Sequence, residues 1–473
     1  MILWVLIIAT LHLLGLFSAV KAVMETRTSQ GAIAWVIFLI SFPYISLPIY
    51  WILGRSRFQG YLSVKHAGEK KIQEKLDDLI ESLTDFRVPD HMMTEADAVA
   101  EKLAHLPYLR GNAVELLIDG DATFGSILSG IDDARSYILF QFYIVRDDEI
   151  GRQIKSQLIA KAEEGVKVYF LYDEIGSHHL SASYIHDLRQ SGVRVHEFHT
   201  QKGWNNHFQV NFRNHRKIVV IDGQSAWIGG HNVGDEYLGR DPKFGHWRDT
   251  HVKLTGPVAL AAQISFIEDW YWAAELSIPE ITWIPVPAKK QDREVLIVPS
   301  GPADELETAG LMFHHAIISA RKRIWIASPY FVPDDTILSA LQLAGLRGVD
   351  VRILIPDKPD HLLVYLAAYT YFEDAAKTGV RFFRYTDGFL HQKVMLIDDD
   401  VSTVGTANFD NRSFRLNFEV TSIVKDRAFA LEIEKMLLDD FSHSKEMSRD
   451  DIDSRSFWFR LAARLARLTS PIL

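Results

Sequence analysis

The chain has 473 residues, 48% hydrophobic and 24% charged, with no cysteine and a formal net charge of −10. The lack of cysteine excludes disulfides, thiol nucleophiles and thiolate-held zinc. The acidic balance argues against a general nucleic-acid binder, which shows a basic field, and leaves any attraction to anionic lipid to local basic patches.

Residues 2–20 are apolar apart from Thr10, His12 and Ser18. That length is near the minimum for a membrane-spanning helix. No Lys or Arg precedes the run and no small-residue cleavage site follows it, so it reads as a span and not as a signal peptide. His12 reads as a residue packed between helices. A second apolar run covers 32–54 and is predicted to span as well. Pro43 and Pro48 should kink it, and Trp35, Tyr44, Tyr50 and Trp51 are available as interface anchors. Arg55, Arg57, Lys65, Lys70 and Lys71 follow this run closely, whereas the inter-span loop holds only Lys21 and Arg27. The positive-inside rule then puts both termini and the large domain in the cytoplasm and the loop outside. Residues 55–111 are charged and helix-favouring, and read as a membrane-proximal helical linker.

From 112 onward the chain repeats itself. Residues 136–143 parallel 323–330, residues 165–173 parallel 348–357, and residues 192–195 parallel 379–382. Apolar strands alternate with helical patterns, which predicts an α/β fold: two pseudo-symmetric repeats whose mixed sheet is flanked by helices. The first repeat is placed at 112–280, a proline-containing linker at 281–293, and the second repeat at 294–453. Loops at 200–211 and 238–246 occur only in the first repeat. Gly203, Trp204 and Phe208 are candidates for lining a substrate entrance, although core packing explains Trp204 equally well. Residues 454–473 form a basic amphipathic segment. Arg460, Arg464 and Arg467 lie beside a face of Trp458, Leu461, Leu465 and Leu468, which fits an interfacial helix. A helix docked on the body is the alternative.

Each repeat carries one copy of a motif. The first is Asn214-His215-Arg216-Lys217 running to Asp222 and on to Gly229 and Asn232. The second is His391-Gln392-Lys393 running to Asp398 and on to Gly405 and Asn408. Both read H-x-K-x4-D-x6-G-x2-N, within 209–236 and 386–413. Read as strands, each copy sets its His and Lys on one face. Asp222 and Asp398 then fall on the opposite face or in the following turn. They complete the candidate catalytic set as residues that hold the strand end or orient the site. Two imidazoles and two ammonium groups around one point suit a phosphodiester. One neutral imidazole attacks phosphorus, the other protonates the leaving oxygen, and Lys217, Lys393, Asn232 and Asn408 stabilise the equatorial oxygens. This chemistry calls for no metal or other cofactor. Each imidazole needs a partner on its second nitrogen. Asp249 and Glu419 stand at comparable places after the two motifs and are the candidate orienting acids.

The paired motifs resemble the phospholipase D superfamily. Their flanks, including 211–217, 234–239, 247–251 and 411–419, together with 143–148 and 329–335, resemble bacterial cardiolipin synthases over nearly the whole chain. The resemblance implies two phospholipase-D-like repeats in a multi-pass protein of the bacterial inner membrane. It also implies two phosphatidylglycerol molecules condensed into cardiolipin and glycerol through a phosphohistidine, with His215 as nucleophile and His391 as acid. The near-symmetry of the halves leaves that order open. Phosphatidylglycerol and anionic membrane lipid are the expected partners, nucleic acid is not, and oligomeric state is left open. The alternatives are another donor lipid, hydrolysis by water, and, more remotely, a membrane-anchored lipid-binding scaffold with a degenerate site.

Overall fold

A computed structural model of the chain describes residues 2–54, 58, 61, 81–199, 211–448, 450–451 and 454–473. The basic cluster from Arg55 to Lys71 and the candidate entrance residues Gly203, Trp204 and Phe208 lie outside the described residues.

The first repeat opens on a strand that starts three residues before 112. Its strands are β1 (Leu109–Ile118), β2 (Tyr137–Phe142), β3 (Lys167–Asp173), β4 (Arg194–Phe198), β5 (Arg213–Asn214), β6 (Ile218–Ile221), β7 (Ser225–Gly229), β8 (Trp247–Arg248) and β9 (Thr250–Thr255). Those of the second are β10 (Arg293–Ser300), β11 (Arg323–Ala327), β12 (Phe331–Val332), β13 (Asp350–Pro356), β14 (Arg381–Tyr385), β15 (Phe389–Leu390), β16 (Val394–Ile397), β17 (Val401–Gly405), β18 (Phe409–Asp410), β19 (Asn417–Lys425) and β20 (Ser444–Glu446). Strands β2 to β4 pair in parallel, as do β11, β13 and β14. Helices return the chain between them, and side-chain caps mark where those helices start. Asp148 accepts from Gly151 N, Ser181 from Tyr184 N and Asp334 from Ile337 N. Strands β6 and β16 enter antiparallel beside β2 and β11.

The two half-sheets run on into one another through β1 and β10, which pair antiparallel at the centre. The strand order from one end to the other is β4-β3-β2-β6-β7-β9-β1-β10-β19-β17-β16-β11-β13-β14-β20. This is the mixed sheet flanked by helices that the alternation predicts. Two further parallel pairings cross between repeats, β5 with β19 and β8 with β15.

The N-terminal region differs from expectation. One described helix, α1 (Ile2–Glu25), is long and apolar enough to cross a membrane. The second predicted span is instead two shorter helices, α2 (Ser29–Ser41) and α3 (Pro43–Leu53). The break is at Phe42, with φ −135° and ψ 56°, immediately before Pro43. A proline ring clashes with helical geometry at the preceding residue and brings no N–H of its own. Pro48 sits inside α3 without ending it. The loop after α1, expected to face away from the body, touches it: Arg27 pairs with Glu307 at 2.9 Å and with Asp334 at 3.3 Å.

Near the other terminus, the helix Phe457–Arg467 packs against Leu362–Ala376. Ala463 and Ala466 are buried, and the Phe459 ring lies 4.8 Å from that of Tyr369. Trp458, Leu461, Leu465 and Leu468 remain exposed on its outer side. The helix is therefore docked and amphipathic at once.

Candidate active site

The motif histidines sit where the chain changes partners. Strand β5 runs parallel to Asn417–Phe418, and His215 N donates to Phe418 O at 2.9 Å. Strand β15 runs parallel to Trp247–Arg248, and His391 N donates to Arg248 O at 2.8 Å. The segments His215–Lys217 and His391–Lys393 are thus not strand, as the apolar pattern suggested. Regular strand begins one residue after each lysine. Here the backbone leaves its own repeat's ladder and borrows one from the other repeat.

That exchange crosses the two half-sites. His215 Nδ1 lies 2.9 Å from Glu419 Oε2 and 3.0 Å from Oε1. His391 Nδ1 lies 2.7 Å from Asp249 Oδ2. Each acid therefore belongs to the repeat opposite its histidine. Their equivalence is visible in the register. Gly229 pairs with His251 and Gly405 with Thr421, so each acid stands two residues before the partner of its motif glycine. With Nδ1 carrying a proton towards a carboxylate, Nε2 is the nitrogen left for chemistry on both rings.

The acids are held tightly but differently. Glu419, fully buried, accepts from Thr406 Oγ1 at 2.6 Å, Ser413 Oγ at 2.8 Å and Asn417 Nδ2 at 3.2 Å. Asp249 accepts from its neighbour Thr250 N at 2.8 Å and lies against Gly230. A Cβ at Gly230 would come within 2.0 Å of Asp249 Oδ1, which only glycine avoids. Thr406, at the matching place in the second repeat, instead supplies a donor.

Lys217 Nζ donates to His215 O at 2.6 Å, and Lys393 Nζ donates to His391 O. Lys393 Nζ is also 3.0 Å from His391 Nδ1. With that nitrogen protonated, this is a close approach of two donors and not a hydrogen bond. Burial dominates the electrostatics. It depresses His215 to about 4, with Glu419 opposing, and His391 to about 3, with Lys393 adding to the effect. Burial also brings Lys217 down to about 7 and Lys393 to about 8. Burial pushes the other way on Asp249 and Glu419, but the neighbouring cations and imidazoles overcome it and hold both carboxylates below their usual range. The centre therefore keeps neutral imidazoles beside ionised acids, with two lysines whose protons are weakly held. An entering anion would strengthen that hold.

Asp222 and Asp398 stand apart from this centre. Both adopt left-handed backbone, with φ of 52° and 48°. Asp222 accepts from Arg135 N, Ser136 N and Tyr137 N at 2.8–2.9 Å. Asp398 accepts from Arg321 N, Lys322 N and Arg323 N at 2.7–3.1 Å. They tie the end of each motif strand to the start of β2 and β11. The two amides also differ. Asn232 Oδ1 accepts from Ile144 N and its Nδ2 donates to Tyr237 Oη, both at 3.2 Å. Asn408 Oδ1 is buried without a partner among the described residues.

Sequence reasoning passed over the walls of the site. The Tyr143 ring meets His215 edge-on at 4.9 Å and has the Lys217 ammonium 5.5 Å above it. Trp247 at 5.0 Å and Phe389 at 6.1 Å enclose His391. Behind each motif lies a buried ion pair. Arg216 binds Asp269 at 2.9 Å, and Asn214 and Gln141 also donate to that carboxylate. Arg248 binds Asp440 at 2.6 Å, which also takes Gln392 at 3.1 Å. The only sequence signal for these was the charged or amide residue between His and Lys in each motif.

Known proteins share the fold and the sequence. The solved structure of phosphatidylserine synthase from Haemophilus influenzae superposes with a TM-score of 0.57 at 17% identity, over 80% of this chain and 100% of that one, which shows a shared fold. Residues 127–242 and 313–441, one stretch within each repeat, match the family described as "Cardiolipin synthase, PLD-like domain". Cardiolipin synthase A of Pseudomonas fluorescens (strain SBW25) is 49% identical, covering 98% of each chain. That of Pseudomonas putida (strain GB-1) is 48% identical over 99% of this chain and 98% of its own. The chain belongs to the cardiolipin synthase family of phospholipase-D-like proteins.

Proposed function

We infer that the protein is a cardiolipin-synthesising phosphatidyltransferase that takes two phosphatidylglycerol molecules to cardiolipin and glycerol at the His215–His391 centre. His215 Nε2, neutral in the buried site, attacks the phosphorus of the first lipid. A P–N bond forms and the P–O bond to the terminal glycerol breaks. The departing oxygen takes a proton from His391. That proton is held once the entering phosphodiester anion raises an imidazole that burial and the Lys393 ammonium otherwise keep neutral. Glycerol leaves. The terminal hydroxyl of the second lipid then gives its proton to His391 and attacks phosphorus, and the P–N bond breaks. Lys217 and Lys393 offset charge on the non-bridging oxygens throughout. Asp249 and Glu419 hold the tautomers. Asp222, Asp398 and Asn232 keep the frame, and Asn408 offers its Nδ2 donor to a non-bridging oxygen. Through α1 and the outer face of Phe457–Arg467 the body works at the inner membrane of a bacterium, on the cytoplasmic side.

The observation that carries this reading is the crossed pairing of His215 with Glu419 and His391 with Asp249. It builds one centre from two half-motifs and gives each imidazole an acid. The test is purified protein in liposomes with headgroup-labelled phosphatidylglycerol. Cardiolipin and free glycerol in equal amounts are expected. Phosphatidic acid as the main lipid product would instead mean hydrolysis, and no turnover with this donor would overturn the substrate assignment.

A further inference from the structure

The apolar N-terminal region has three helices, and their contacts fix how they run. Along α1, His12 Nε2 meets Tyr44 Oη at 3.2 Å, and Ser18 Oγ accepts from Trp51 Nε1 at 3.4 Å. Rising numbers on α1 meet rising numbers on α3, so these two helices run parallel. Trp35 of α2 and Tyr50 of α3 lie on opposite sides of the break at Phe42, yet their rings are 5.1 Å apart. Helices α2 and α3 therefore fold back on one another. The tip of this hairpin lies beside the middle of α1: a Cβ at Gly15 would sit 2.6 Å from Leu39 O and 3.1 Å from Pro43 Cβ.

Both feet of the hairpin stand on the catalytic body. At the start of α2, Arg27 is paired with Glu307 and Asp334. After α3, Phe58 is fully buried among Phe212, Trp272 and Phe418, and its N–H donates to Pro302 O. Phe58 follows Leu53 by five positions, a reach of about 18 Å at most. Asp335, next to Asp334, holds Arg467 of the amphipathic helix at 3.6 Å, so that helix and the hairpin's feet share one level.

Length decides what each helix does in a bilayer. At ~1.5 Å per residue α1 reaches about 36 Å, more than the ~30 Å hydrocarbon core, while α2 and α3 reach only about 20 and 17 Å. Backbone irregular at membrane depth is tolerated where protein covers it. At the break, Pro43 is buried and lies against Gly15, as does Leu39 O, while Phe42 is exposed. Gly15, Ser18, Ala19 and Ala22 form the buried, small-residue face of α1, and its bulky apolar residues face outward.

We propose that the chain crosses the bilayer once, through α1, and that α2 and α3 form a re-entrant hairpin turning near mid-depth, so that the N-terminus and the catalytic body lie on opposite faces of the membrane. This rests on the chain acting at a bilayer, as the proposed function requires. It reverses the sidedness of both the N-terminus and the 26–28 loop relative to a two-span arrangement.

The chain contains no cysteine, so single replacements report cleanly. Ile2→Cys, Gln30→Cys and Lys445→Cys lie at exposed positions near the N-terminus, at the foot of the hairpin and on the body. Each full-length variant is treated with a membrane-impermeant maleimide in intact cells and again after permeabilisation. With a cytoplasmic body, Ile2→Cys should label in intact cells, and the other two only after permeabilisation. Ile2→Cys protected together with Lys445→Cys while Gln30→Cys labels would establish two spans and overturn the hairpin. All three on one face would overturn any crossing. Cardiolipin formation by each variant is measured separately, so a failure of the proposed reaction appears there and not in the sidedness.

Discussion

Glu419 and His215 are 204 residues apart in the chain and 2.9 Å apart in the site. The reciprocal contact, Asp249 with His391, spans 142 residues. Each half of the molecule therefore carries the acid that contacts the other half's imidazole. Glu419→Gln and Asp249→Asn preserve shape but remove the charge that fixes the tautomer. Each is expected to lower kcat by about 10²–10⁴-fold, the range for losing an oriented acid–base partner. Turnover of phosphatidylglycerol measures it. Near-normal kcat in either variant would mean that the carboxylate has no part in the reaction.

A shared centre makes its members non-additive. His215→Ala and His391→Ala should each abolish transfer, and the double variant should be barely worse than either single one. Substantial turnover in one single variant would show that the half-sites work separately.

The order of the steps is open to a direct test. In His391→Asn the nucleophile remains but the departing oxygen is left without a proton. A phosphatidyl nitrophenol has a leaving group that needs none. That variant should be modified once on His215, and the adduct should persist because no base activates a second lipid. His215→Asn should give no adduct. Mass spectrometry decides it, and an adduct found only on His391 would reverse the assignment.

The buried bases set two pH windows. His215 and His391 fold to about 4 and about 3, below the ~6.5 of an exposed imidazole. On acidification the unfolded chain takes up these protons first. Their contribution to stability is therefore complete above pH ~6.5 and is lost as pH falls from there through 4 and 3. The thermal midpoint should drop over this range, and less steeply in His391→Asn. On the alkaline side, Lys217 at about 7 and Lys393 at about 8 lose the charge proposed to offset the phosphate. kcat/KM for phosphatidylglycerol should decline above those values, and a flat alkaline limb would remove the lysines from transition-state stabilisation.

Gly230 is where the site has no room. Gly230→Ala must displace the Asp249 carboxylate, and overpacking of this kind costs about 1–3 kcal/mol. Lower thermal stability together with loss of transfer is expected. Gly125→Ala, on the helix Asp119–Asp133 with nothing within 4 Å of its added Cβ, is the control. It should leave transfer intact and raise stability by about 0.5–1 kcal/mol. Equal behaviour of the two variants would remove steric closeness at Gly230 as the cause.

Much of this site was legible in the order of residues. The chemistry of a histidine and a lysine two apart is local, and its repetition in each half names His215, Lys217, His391 and Lys393 without any coordinates. The register of the repeats likewise singled out Asp249 and Glu419, and the odd spacing of Asp222 and Asp398 set them aside as anchors of the strand end. The β-α alternation placed a mixed sheet between helices because apolar periodicity is also a local signal. What depended on distance in the chain was decided only by the tertiary structure. No local pattern says that β5 pairs with β19 and β8 with β15, yet those two pairings determine which acid faces which imidazole and interrupt the motif strands at the histidines. The same holds for the second apolar run. Composition marked residues 32–54 as long enough to span, and Pro43 marked the kink. How sharply the chain turns there depends on Gly15 offering a surface for the turn and on Arg27 and Phe58 tying both ends to the body, contacts that composition does not contain.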